Sequence, residues 1–218
     1  MLDLEALRRT PLARQPFDHV VVPDILAPTS IGCVLRDFPA IDHAGLVPPS
    51  EADCGPAVVA LIDEMRLGGL SAAISDKFEL DLAGRPLMIS LRGRCAAKDG
   101  RIHTDSTSKL ITALLYLNEP WRADGGRLRL LRGPHDIDDA AAEIEPSAGT
   151  FVAFRRGDRS YHGHKPFVGA RRYLMLNWMT GGIAARRETL RHVVSARLKR
   201  WRGRRPLGAA ASLGDTSV

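Results

Sequence analysis

A chain of 218 residues has room for one domain with a sizeable core, and a content of 44% hydrophobic and 26% charged residues belongs to a folded globular protein and excludes wholesale disorder. The net charge of +6 is concentrated at one end: from Ala184 onward nine Lys/Arg stand against two acids, so the rest of the chain is close to neutral and the basicity describes an appendage. Cys33, Cys54 and Cys95 are odd in number and widely spaced, which suits reduced thiols better than a disulfide framework or a zinc site, and the opening residues carry Asp3 and Glu5 without an apolar run, so neither a signal peptide nor a membrane span is expected and the cytoplasm is the expected location.

In chain order, "FDHVVVPDIL" reads as a strand, and "APTSIGCVLRDFP" opens a helix with Pro28 and Thr29 near its start. "GPAVVALIDEMRLGGLSAAISDKF" reads as one or two further helices broken at Gly68-Gly69. Beyond residue 85 the pattern turns to β: "PLMISLRGRC", "KLITALLYLN", "GRLRLL", "GTFVAFRRG", "SYHGH" and "RRYLMLNWM" are short runs bounded by turn residues. Helices first and many short strands afterwards predict a mostly β, α+β protein in which a helical buttress packs on an antiparallel barrel or double-sheet jelly roll. "HDIDDAAAEIE" lacks the spaced ligands and glycine of a calcium loop and is expected to be a solvated loop; Gly125-Gly126 is expected to turn the chain.

The expected organisation is one domain over residues 1–183, a basic amphipathic helix over 184–202 and a disordered tail over 203–218. Leu190, Val193, Val194, Arg197, Leu198 and Trp201 give that helix a mostly apolar stripe, which predicts packing on the parent domain; contact of its basic face with nucleic acid or anionic membrane is the less favoured expectation.

"RIHTDSTSKLITALLYLNEPW" carries the chemistry. His103 and Asp105, one residue apart on an extended segment, face the same way, because strand side chains alternate with period two. One imidazole and one carboxylate want a third ligand, and "YHGHKPF" offers two, His162 and His164. Two histidines and one carboxylate on one face of a metal, with the other positions open, is the facial triad of non-haem Fe(II) oxygenases.

From about Pro86 to Met179 the chain resembles the Fe(II)/2-oxoglutarate-dependent oxygenases of the prolyl-hydroxylase-like branch. The motifs follow in order: "HTD" at 103–105, "YLN" at 116–118, Trp121 with Gly125-Gly126 and Leu128, "PSAGTFVAF" at 146–154, and His162, Pro166, Arg171-Arg172 and Trp178. The resemblance implies a double-stranded β-helix core, Fe(II) held by His103, Asp105 and His162, 2-oxoglutarate as co-substrate with O2, and ascorbate as a reactivating reductant. It favours His162 over His164 because Pro166 follows His162 by four residues and an arginine follows by nine or ten. It favours Arg172 over Arg171 for the distal carboxylate of 2-oxoglutarate because Trp178 follows Arg172 by six residues. Tyr116 matches a tyrosine that supports the same carboxylate. Arg92 or Arg94, in "LRGRC", stands where some relatives carry a further tyrosine.

The implied activity is hydroxylation of an unactivated C–H bond of a small molecule or a peptidyl residue, with succinate and CO2 as co-products. The related halogenases lack the acid that Asp105 supplies, which makes hydroxylation the expected outcome. Two alternatives remain: a cupin-like metalloprotein with the same triad that does not use 2-oxoglutarate, and a non-catalytic module acting through the basic tail. The substrate and the oligomeric state are not encoded in any residue singled out above.

Overall fold

The computed structural model describes residues 1–181. The basic helix expected over 184–202 and the tail over 203–218 lie outside the described residues. Among the described residues no helix is long and apolar enough to cross a membrane, and Cys33, Cys54 and Cys95 are free.

Helices lead and strands follow: α1 (Leu4–Arg9), β1 (His19–Val22), α2 (Pro28–Asp37), a 3-10 turn (Pro49–Glu51), α3 (Pro56–Leu67), α4 (Leu70–Phe78), β2 (Leu87–Cys95), β3 (Lys109–Tyr116), β4 (Leu128–Leu131), β5 (Ala140–Ile144), β6 (Phe151–Arg155), β7 (His162–Gly163) and β8 (Gly169–Met179). Proline at the first helical position starts α2 and α3, where its missing N–H is no loss. The break expected between α3 and α4 falls at Gly68-Gly69, with Gly69 left-handed at φ 86°. One element was not anticipated and one expectation is corrected. The opening residues, read only as lacking a leader, form α1, capped by Asp3 Oδ1 accepting from the Ala6 N–H at 2.9 Å. The "HDIDDAAAEIE" stretch is loop only in its acidic part; Ala140–Ile144 is a strand, because its small residues can alternate against β4.

The strands form two antiparallel sheets, five-stranded in the order β1-β6-β3-β8-β2 and three-stranded in the order β5-β4-β7. Period-two alternation gives the large sheet two apolar faces. Ile111, Ala113, Leu115, Phe151, Ala153, Leu174, Leu176 and Trp178 share one cluster with Leu61, Met65, Ile74 and Phe78 of the helices. Leu114, Tyr116, Val152, Phe154 and Tyr173 point the other way and meet Leu128, Leu130 and Ile144 of the small sheet. Trp178 is fully buried on the helical side, where its indole N–H donates to Ser71 Oγ at 2.9 Å. The functional residues therefore have one interior to occupy, the space between the two sheets.

Candidate active site

That space holds a cavity of about 380 Å³, lined among others by His103, Asp105, His162, His164, Arg92 and Arg171. The size suits a small ligand.

His103 lies 59 residues before His162, and the backbone brings them together. The His103 N–H donates to the His162 carbonyl at 3.1 Å and the His162 N–H to the His103 carbonyl at 3.0 Å, an isolated antiparallel bridge that adds the 100–103 segment to the small sheet beside β7. The two imidazoles end with ring centroids 4.3 Å apart. Gly163 makes the approach feasible, since a Cβ there would sit 2.7 Å from the Gly100 carbonyl oxygen.

His103, Asp105 and His162 present one ligand atom each within 4.8 Å of one another. Each imidazole is oriented by its other nitrogen: Nδ1 of His103 lies 2.9 Å from the Arg101 carbonyl, and Nδ1 of His162 lies 2.9 Å from the Ser160 carbonyl. A carbonyl can only accept, so Nδ1 carries the proton in both rings and the Nε2 lone pair is available to a metal. Burial pushes His162 down to about 4, partly countered by the Asp105 charge, so the ring is neutral at ordinary pH.

Asp105 is buried, and burial alone would raise its pKa. The charge of Lys109 outweighs that, with help from His162 and from hydrogen bonds, and the carboxyl is held below its ordinary value. Lys109 Nζ donates to Oδ1 at 2.8 Å and Thr112 Oγ1 to Oδ2 at 2.5 Å. Both donors come from β3, and each oxygen keeps a second lone pair. Neither Lys109 nor Thr112 was anticipated from sequence, because a strand alone would not bring residues four and seven positions on into contact with Asp105.

The donor set therefore fits a divalent first-row metal with positions left open. His164 lines the same cavity but stands outside the triad; its Nδ1 lies 2.8 Å from the Lys165 carbonyl, and burial followed by the Arg171 charge pushes it to about 4.

The two adjacent arginines part company. Arg171 is 2% exposed and faces the cavity: its Nε donates to the Gly126 carbonyl at 2.7 Å and its Nη2 to Tyr116 Oη at 3.1 Å, with the guanidinium 5.1 Å from the Tyr173 ring centroid and 5.2 Å from that of Tyr116. Arg172 is exposed on the other face, with its guanidinium 5.9 Å from the Phe38 ring centroid, beside two shallow depressions that include none of the triad. Of the two, Arg171 and not the favoured Arg172 lines the cavity that holds the triad. Arg172 and Trp178 share parity on β8, and the alternation that sends Trp178 to the helical core sends Arg172 to that side and Arg171 to the cavity.

Tyr116 is fully buried, and burial, opposed by Arg171, pushes its hydroxyl up to about 12, so it keeps its proton. Because its oxygen accepts from Arg171, its O–H is left to donate elsewhere. Gly126 holds Arg171 through its carbonyl, at a turn with φ 82° where a Cβ would meet Trp121 at 2.7 Å. The Trp121 N–H closes that turn on the Gly125 carbonyl at 2.9 Å. The glycine pair, expected to be only a turn, therefore positions a cation.

Comparison with known proteins bears on this geometry. The profile of the 2OG-Fe(II) oxygenase superfamily matches residues 94–180, a span that contains the triad, Tyr116 and both arginines. No curated protein matches significantly. Among solved structures, a prolyl 4-hydroxylase of Phytophthora capsici is similar over 84% of this chain and 67% of its own, at 19% identity and a TM-score of 0.58, which shows a shared fold. A prolyl-4-hydroxylase of Pseudomonas putida covers 81% of this chain and 90% of its own at 23% identity and a TM-score of 0.49, and HygX of Streptomyces hygroscopicus, with nickel and 2-oxoglutarate bound, covers 74% and 82% at 14% identity and a TM-score of 0.48. Residues 94–180 are thus similar to the 2OG-Fe(II) oxygenase superfamily, and that span holds His103, Asp105, His162 and Arg171.

Proposed function

We propose that the protein is an Fe(II)- and 2-oxoglutarate-dependent dioxygenase that hydroxylates an unactivated C–H bond of a small molecule or a peptidyl residue, with His103, Asp105 and His162 as the metal ligands and Arg171 with Tyr116 as the seat of the 2-oxoglutarate distal carboxylate. The observation that carries this reading is the sharing of one cavity by the triad and a buried arginine. A cupin-like protein that ignored 2-oxoglutarate would have no use for a guanidinium buried beside a tyrosine.

Bound Fe(II) supplies O2 activation and the oxidative decarboxylation of 2-oxoglutarate to succinate and CO2, with one oxygen atom passing to the substrate. The chain supplies orientation. The backbone bridge sets the two imidazoles side by side, and Lys109 and Thr112 hold the carboxylate in one rotamer. Arg171 already donates through Nε and Nη2, so Nη1 and the Tyr116 O–H are the donors left for a carboxylate. Leu114, Leu128, Phe154 and Met175 give the cavity dry walls. No side chain is needed as a general base.

The two-sheet core is read as a double-stranded β-helix, with α1 to α4 as its buttress, and the three free cysteines support the expectation of a cytoplasmic protein. The test is to load the protein anaerobically with Fe(II), add 2-oxoglutarate and candidate pools, and record succinate together with a mass gain of about 16 daltons, one inserted oxygen. Absence of 2-oxoglutarate consumption under all conditions would overturn the reading.

A further inference from the structure

Arg92 is a second largely buried guanidinium lining the cavity, beside Arg171. It lies on β2 directly opposite Tyr173 of β8, and Tyr173 in turn pairs with Tyr116 of β3, so that Arg92, Tyr173 and Tyr116 run in one row across the large sheet. Its side chain is 14% exposed. Among the described residues its contacts with acceptors are made by one nitrogen: Nη1 stands 2.8 Å from Asp99 Oδ2 and 3.5 Å from Cys95 Sγ. Nε is buried and has no hydrogen-bond partner among the described residues.

A buried N–H without an acceptor is rare and calls for a reason. Here the Nε–H points along the same edge of the guanidinium as Nη2, and that edge is the one that takes a planar carboxylate side-on through two parallel hydrogen bonds. Asp99 occupies the far corner and fixes the fork without using it.

The rim has the same sign. Lys98 and Arg101 are exposed at the cavity mouth, and Asp99 and Asp105, the two acids lining the cavity, are already paired with Arg92 and Lys109. A dianionic co-substrate uses the charge of the metal and of Arg171 and leaves Lys98, Arg101 and the unpartnered Nε of Arg92. A mouth of one charge draws in ligands of the other.

We propose that Arg92 is a specificity-determining residue that binds a carboxylate on the primary substrate, and that this substrate is a small carboxylic acid rather than an uncharged peptidyl residue. The chemistry done on that acid rests on the oxygenase reading; the binding does not. The size of the cavity, about 380 Å³, limits the occupant to a small molecule or one side chain.

The test is calorimetric titration with benzoate and with benzamide, an uncharged molecule of nearly the same shape. It is run on the Ni(II)- and 2-oxoglutarate-loaded protein, in which 2-oxoglutarate occupies Arg171, and on the metal-free protein with Arg171→Gln. Benzoate should bind the unsubstituted Arg92 protein at least about tenfold tighter than benzamide, and Arg92→Gln should abolish the preference. Arg92→Lys keeps a cation for Asp99 and removes the fork, so it guards against misfolding of the 96–99 turn and should lose most of the preference. In turnover, the twenty standard amino acids should stimulate succinate release more than their methyl esters do, with Arg92→Gln closing the gap while its KM for 2-oxoglutarate stays unchanged. Equal binding of benzoate and benzamide, a preference that survives Arg92→Gln, or a raised KM for 2-oxoglutarate in that variant would overturn the proposal. If 2-oxoglutarate fails to load at all, the oxygenase reading falls, while the titration of the metal-free protein still decides the role of Arg92.

Discussion

His103 and His162 exchange two backbone hydrogen bonds, 3.1 and 3.0 Å long, across a bridge of a single residue pair. The candidate metal site therefore depends on main-chain pairing as well as on side-chain identity.

His103→Ala, Asp105→Ala and His162→Ala should each remove succinate formation and weaken Ni(II) binding by on the order of 100-fold or more, because these three are the candidate ligand group among the described residues. His164→Ala should keep most Ni(II) affinity, since that ring stands outside the triad. Metal titration by calorimetry separates the four variants. The opposite ranking of His162 and His164 would move the third ligand by two residues.

Gly163→Ala should leave the fold cooperative yet reduce Ni(II) affinity by about tenfold, the scale of losing support around a ligand. An added Cβ would meet the Gly100 carbonyl oxygen at 2.7 Å and force β7 away from the segment that carries His103. Unchanged Ni(II) affinity with a lowered melting temperature would show that the bridge yields without disturbing the ligands.

Arg171→Ala should raise the KM for 2-oxoglutarate by about 30-fold or more, the usual scale for removing one partner of a buried charge pair. Arg172→Ala should change it little, because Arg172 is exposed on the opposite face of β8. Tyr116→Phe, which removes a single hydroxyl, should fall between the two. Steady-state kinetics in 2-oxoglutarate ranks them, and a dominant Arg172 effect would contradict the assignment of the cavity face.

The metal-free protein should lose stability on acidification. His162 and His164 are both pushed from 6.5 to about 4, chiefly by burial. Between those values the unfolded chain binds protons that the folded chain does not, so the stability is fully present above pH 6.5 and is lost as the pH falls towards 4, where the loss levels off. The scale is at most about 3 kcal/mol for His162 and less for His164, which is less deeply buried. Melting temperatures in chelator between pH 7 and pH 4 read the slope, which His164→Asn should flatten. A flat profile in the wild-type protein would show that the rings charge freely in the fold.

Much of this protein is legible along the chain because its information is local. Proline starts, the Gly68-Gly69 break and the alternation of "KLITALLY" and "RRYLMLNWM" specify helices and strands within a few residues, and the ordered motifs from His103 to Trp178 carry the family resemblance and the triad. What tertiary structure alone decided is which side chains share a space. Spacing from Trp178 pointed to Arg172, but only the packing of Trp178 against α4 shows that this parity faces the helices, leaving Arg171 in the cavity. Lys109 and Thr112 reach Asp105 because the chain turns between residues 105 and 109, and Gly126 holds Arg171 from 45 residues away. Such contacts arise when distant segments are packed together, so no periodicity within either segment encodes them.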